Sequence, residues 1–152
     1  MTYNVKFTTA ATSIAGLTIT GIPIKDLTNI LTDVSMACPV LMPAPGFVSN
    51  LQPVLPETYG SSGAERLTLK YDLTYRYFHC AVGADMTWGF YDDVVSNVAA
   101  ILVVLLTNDK LTGLSDLRVK SISEIPGVVT DPLQNEYFGC DITLSIEQKC
   151  EL

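Results

Sequence analysis

Charge is what this sequence has least of. Only 16% of its residues are Asp, Glu, Lys or Arg, and its mean hydropathy of +0.32 is high for a free monomer of 152 residues. Obligate interfaces resemble cut cores, so such a surface points to burial against other subunits. The alternative is a well-packed monomer with a Thr- and Ser-rich exterior. Basic residues are scarcer still: nine Lys and Arg face sixteen Asp and Glu, giving a net charge of −7 and a pI near 4.4. An acidic chain repels phosphate backbones, which disfavours stable nucleic-acid binding. Passage of DNA without adhesion is a different matter, and acidity would assist it.

Other absences narrow the classes further. The four cysteines, at 38, 80, 140 and 150, form no CxxC pair and no short regular spacing, so neither a zinc site nor a disulfide framework is signalled. Reduced cytosolic thiols are expected, with Cys80 and Cys140 acting as small hydrophobes in strands. The N-terminus MTYNVKFTTAATS lacks the uninterrupted apolar region of a signal peptide. The most apolar run, Val98 to Leu106, is too short to cross a bilayer. No HExxH, GxSxG, P-loop or GxGxxG occurs. The one histidine, His79, adjoins Cys80, but neighbours on a strand point opposite ways and cannot pair as base and nucleophile.

What the chain does have is alternation. In ERLTLKYDLTYRYFHCAV, Glu65 to Val82, the residues Leu67, Leu69, Tyr71, Leu73, Tyr75 and Tyr77 take the odd positions. Arg66, Thr68, Lys70, Asp72, Thr74 and Arg76 take the even ones. Period two predicts a long half-buried strand whose charged face suits solvent or a wet protein interface. The tyrosines resemble a base-stacking platform, yet the chain's charge has the wrong sign for one, and core or subunit seam is the better reading. A second clean strand alternates Phe138, Cys140, Ile142, Leu144 and Ile146 with Gly139, Asp141, Thr143 and Ser145. Leu117 to Ile125 is a looser strand.

One helix is strongly signalled. Phe90, Val94, Val98, Ile101, Leu102 and Leu105 form a stripe at helical spacing, with Thr87 a plausible N-cap, Asp92 and Asp93 in the first turn, and Asn108, Asp109 and Gly113 ending it. Val95, Val103, Val104 and Leu106 fall largely outside the stripe, so the C-terminal half is apolar nearly all round and must be covered on two sides. The Asp92 and Asp93 pair is better read as N-terminal charge than as a metal or acid-base site.

The remaining segments are less regular. Residues 1–13 look like an N-terminal arm ordered by outside contacts. Gly16 to Leu27 reads as one broken strand or two short ones, and Asp26 could instead cap a short helix reaching Met36. Residues 37–64 carry prolines at 39, 43, 45, 53 and 56, which exclude a regular ladder or helix and predict an extended segment laid over a surface. Pro126 to Glu136 is a long connection holding Val128, Val129 and Leu133. It is a candidate contact loop, with folding back on its own sheet as the alternative. The whole is read as a single domain, 1–152, of α+β class: a mainly antiparallel β-sheet with one main helix packed on it.

Pro39-Val40-Leu41-Met42-Pro43 followed by Phe47, the strand LTLKYDLTYRYF, the helix begun by Phe90-Tyr91-Asp92 and the terminal CDITLSIEQ together resemble the tail terminator proteins of long-tailed bacteriophages, also called tail-completion or neck proteins. The resemblance covers roughly residues 38–148 and rests on patterns of residue class. It implies a ring-forming subunit, a hexamer seated on the last ring of the tail tube, joined on its other face to the head-side connector or neck protein. It further implies a virion protein assembled in the host cytoplasm, with no enzyme activity, no cofactor, no membrane, and DNA only in transit. Interface candidates are Arg66, Lys70, Asp72 and Arg76 on the charged strand face, and Val128, Val129 and Leu133 in the long connection. Competing readings are another virion structural protein, such as a head-tail adaptor, tube or capsid-associated protein, or a small cytosolic enzyme or ligand-binding domain using Cys38, Cys140 or His79.

Overall fold

The computed structural model describes residues 7–25, 38–54, 66–82, 88–108 and 116–151. Its elements in chain order are α1 (Phe7–Ala15), β1 (Val40–Val54), β2 (Arg66–Ala81), α2 (Trp88–Thr107), β3 (Asp116–Ile122), β4 (Gly127–Thr130) and β5 (Glu136–Glu151). The strands form one antiparallel sheet ordered β1-β2-β5-β3. β4 pairs with the Glu136 to Gly139 end of β5, while β3 pairs with its Ile142 to Glu147 stretch. The protein is therefore an α+β fold, a mainly antiparallel sheet with one main helix packed on it.

The two strongly alternating segments become its central pair. β2 and β5 run antiparallel along almost their whole length, from Arg66 opposite Glu151 to Ala81 opposite Tyr137. Directly opposed residues share a face. Tyr71, Leu73, Tyr75 and Tyr77 thus meet Ile146, Leu144, Ile142 and Cys140, and all eight are buried. The tyrosines belong to the core rather than to a seam. The Tyr71 and Tyr77 hydroxyls are reached by polar partners that offset burial: Tyr71 donates to Gln148 Oε1 at 2.9 Å, and Tyr77 accepts from Asn97 Nδ2 of α2 at 2.8 Å. Onto this face α2 lays Phe90, Val94, Val98, Ile101 and Leu105, the expected stripe. Asn108 closes the helix by donating its side-chain amide to the Val104 carbonyl at 2.8 Å.

Several expectations need correction. The helix begins at Trp88, so Asp92 and Asp93 lie beyond its first turn; Thr87 is outside the described residues. Phe90 to Thr107 is long and apolar enough by composition to cross a membrane, yet it is docked on the sheet, with 28% of that window buried. The described part of the supposed arm is α1, whose Ala10, Ala11 and Ile14 are core residues. Two alanines contribute little to hydropathy, but their small size lets a helix approach closely. Within Gly16 to Leu27 the described part makes only isolated bridges, Ile19 to Ile22 and Ile24 to Leu41. The alternative helix beyond Asp26 lies outside the described residues.

The proline-rich segment also differs from expectation. Its described part is β1, which does form a ladder with β2, broken into Val40–Pro43, Val48–Ser49 and Gln52–Val54. β1 is the edge strand of the sheet, its outer side meeting only the isolated Ile24 bridge at Leu41, so prolines can sit where no amide is needed. Gly46 (φ 67°) and Asn50 (φ 53°) adopt left-handed backbone at the interruptions. The third strand ends at Ile122 instead of Ile125, and the long connection folds back as β4.

Candidate assembly surfaces

The charged face of β2 turns away from α2, and most of its polar groups are satisfied within the subunit. Asp72 is buried, with its Oδ2 accepting from Asn50 Nδ2 and from Lys120 Nζ, each at 2.7 Å. Burial disfavours its ionised form, but those hydrogen bonds and the charges of Lys120 and Lys70 prevail and hold the carboxyl below its usual range. Asp72 is thus an internal anchor, a correction to the solvent-facing position that alternation alone implied. Arg76 grips Asp141 with two parallel hydrogen bonds, Nε to Oδ1 at 2.8 Å and Nη2 to Oδ2 at 3.1 Å. Its Nη1 also donates to the Thr130 carbonyl at 3.0 Å, tying the end of β4 to the sheet. Lys70, half-buried, stands between Gln52 and Glu147 in the ladder. Arg66 opens β2 opposite Glu151.

The candidate contact loop separates in the same way. Val129 is buried beside Val40, Met42, Phe78 and Tyr137, so it belongs to this subunit's own core, contrary to its choice as a contact residue. Val128 and Leu133 remain more than half exposed. The turn that carries Leu133 is organised from inside by Asp131. Its Oδ1 accepts from the Leu133 and Asn135 amides at 2.9 and 2.8 Å, and its Oδ2 from Asn135 Nδ2 and the Tyr137 hydroxyl at 3.1 and 3.2 Å. Asp131 was not singled out in the sequence; the only local signal was the turn-forming Asp131-Pro132 pair.

Asp131→Ala is expected to cost about 2–4 kcal/mol, because four donors lose a charged acceptor in a buried setting. Leu133→Ala, on the same turn, should change stability by less than about 0.5 kcal/mol. Burial raises the Asp131 carboxyl pKa, but hydrogen bonds from Asn135, Tyr137 and Leu133 outweigh it and the net direction is down. The stabilisation is therefore present above the unfolded aspartate range and lost as pH falls through the folded value. Thermal melts of wild type and Asp131→Ala should converge in acid and separate towards neutrality.

The outward side of α2 holds four of the nine exposed large hydrophobic residues among those described. Tyr91, Val95, Val103 and Leu106 are each at least half exposed, and at 100° per residue they fall within roughly 120° of arc beside the buried stripe. Scattered apolar residues are ordinary on a surface; four on one helix flank make a patch. The expected cover on two sides is present on one. The helix carries no Lys or Arg, and its charges are Asp92 and Asp93.

Among the described side chains, the thiols of Cys38, Cys80 and Cys140 and the imidazole of His79 give no activated nucleophile. The β2 to β5 register slips between Phe78 and Cys80, so the alternation expected to separate His79 from Cys80 fails there. His79 stacks edge-on against Phe90 of α2, and Cys80 packs against the same helix-side cluster. The imidazole Nδ1 is hydrogen-bonded to the Tyr77 hydroxyl at 2.7 Å, and burial lowers the His79 pKa. Burial raises the Cys38 and Cys80 thiols and pushes Cys140 up to about 12. A reactive thiol requires the opposite shift. Among the described residues no group of three or more His, Cys, Asp or Glu could hold a metal ion.

No protein-family model matches this chain, and no curated protein matches it in sequence.

Proposed function

We propose that this chain is a structural virion protein, the tail terminator of a long-tailed bacteriophage, which assembles as a hexameric ring on the end of the tail tube and joins it to the head-side connector. The observation that supports the reading is the exposed apolar flank of α2, which a protein partner would cover, in a chain with 16% charged residues. The resemblance of the segments from Pro39 to Gln148 supplies the kind of assembly. Low charge suits subunit seams, and the −7 balance suits a lumen that passes DNA without holding it. In this reading the protein has structural partners, no substrate and no cofactor, and its place is the neck of the virion.

The reading is tested on growing tail tubes. Added protein should stop elongation, and imaging should find one ring at one end of each tube. Tubes that lengthen unchanged, or density repeated along the tube or within the capsid, would replace the terminator with another virion role.

A further inference from the structure

Where β2 meets the first half of α2, three polar side chains form a run of hydrogen bonds inside otherwise apolar packing. Asn97 Nδ2 of α2 donates to the Tyr77 hydroxyl oxygen at 2.8 Å, and that hydroxyl stands 2.7 Å from Nδ1 of His79 on the same strand. Alternate residues of a strand share a face, so Tyr77 and His79 both look towards the helix. Their rings lie 5.8 Å apart, and the imidazole meets Phe90 edge-on at 5.5 Å. On α2, Phe90, Asp93 and Asn97 fall within roughly 60° of arc at 100° per residue.

The Tyr77 hydroxyl has one proton to give, and among the described residues only one of its two partners can take it. Asn97 presents an amide N–H, so Nδ1 of His79 must receive, which requires the neutral imidazole with its proton on Nε2. A protonated imidazole donates at both nitrogens. Tyr77 would then face two donors and hold a proton without an acceptor, unless the Asn97 amide turned over and gave up the bond that it now makes. Tyr77 is fully buried, so water does not replace the missing acceptor.

We propose that His79 is a proton-operated latch: neutral, it holds the first half of α2 on the sheet through Tyr77 and Asn97, and protonated at Nδ1 it breaks that order and releases the helix locally. The latch lies within one subunit, so it acts whether or not copies assemble. Release would also shift the outward flank that α2 carries.

The surroundings set the direction of the response. Among the described residues Asp93 is the charged group that acts on His79, from α2, and it favours the imidazolium; around Tyr77 the titratable groups are the thiols of Cys38, ahead of β1, Cys80 on β2 and Cys140 on β5. Burial beside Phe90 opposes the charge and prevails, so His79 titrates below the ordinary value of 6.5. The latched state therefore binds fewer protons than the released one. Its stability is whole above the ordinary histidine range and falls with pH until the latched imidazole is itself protonated.

His79 is the one histidine of the chain, so its ring protons give a single NMR titration, and hydrogen exchange of the α2 amides at the same pH values reads the latch. Between about pH 8 and about pH 4.5, protection factors in the first half of α2 should fall in one step that coincides with the histidine titration, while the amides shared by β2 and β5 keep theirs. The step should be about tenfold for each pH unit by which the histidine titrates below 6.5. His79→Asn, which keeps an acceptor near the place of Nδ1 and takes up no proton in this range, should abolish the step. Asp93→Asn, at an exposed position, should move the titration and the step together to lower pH. Protection that stays level through the histidine titration of the wild type would overturn the latch, as would a step that survives unmoved in the two variants.

Discussion

Gly139→Ala is expected to destabilise the protein by about 3 kcal/mol or more, the upper end of what overpacking costs. For a domain of this size that is a melting-temperature fall of about 6–12 °C. A Cβ at this position would overlap the Tyr77 carbonyl oxygen and lie 2.9 Å from its carbon and 3.3 Å from Val129 Cγ2. Its worst contact is with backbone, so no rotamer change relieves it. Gly139 is opposite Phe78 on one side and Gly127 on the other, next to the slip in the β2 to β5 register. The central pair would have to separate there, taking the cluster of Val40, Met42, Phe78, Val129 and Tyr137 with it. Gly16→Ala makes a suitable control, since the nearest atom to its added Cβ is 3.4 Å away. Thermal melts of the two variants should differ clearly; a Gly139→Ala protein that melts with wild type would show that the strands do not approach as described.

The second large effect divides α2 along its axis. Ile101 is fully buried in the helix-to-sheet core, and Ile101→Ala should cost about 2–5 kcal/mol through lost burial and a residual cavity. Two residues on, Val103 is 62% exposed, and Val103→Asp should leave the stability of the subunit within about 0.5 kcal/mol. Assembly should respond in the opposite sense. Val103→Asp places a charge on the apolar flank, where an uncompensated buried carboxylate cannot be tolerated in a packed interface, and it should leave a folded monomer. Chemical denaturation reads the first quantity and sedimentation the second. A Val103→Asp protein that assembles as well as wild type would mean that this flank meets no partner.

Much of the framework was legible because burial on one face writes a simple period. The odd positions of β2 from Leu69 to Tyr77, the even positions of β5 from Cys140 to Ile146 and the stripe of α2 are where alternation and helical spacing put them. The parts that were not legible depend on contacts distant in sequence. β1 tolerates Pro43 and Pro53 because it is an edge strand, a fact visible only once the strand order is known. α1 is held by Ala10, Ala11 and Ile14, and alanine says little about hydropathy while saying much about fit. Asp72 has the pattern of an exposed residue, but Lys120, forty-eight positions later, and Asn50 enclose it. At Phe78 to Cys80 the bulge defeats the rule that neighbours face opposite ways, so the placing of His79 and Cys80 required the register. The outward flank of α2 was foreshadowed by Val95, Val103 and Leu106, which the stripe could not absorb. Val128 and Val129 show the limit of that reasoning, since only the pairing of β4 with β5 decides which of two adjacent valines is buried.

The most direct measurement is the mass of the purified full-length chain in solution and on tail tubes, by sedimentation velocity and native mass spectrometry. A closed ring in either setting, hexameric and lost on Val103→Asp without loss of folding, is the expected result. A folded monomer in both settings, its α2 flank left in water, would contradict the central claim that this sparsely charged surface exists to meet another copy of itself.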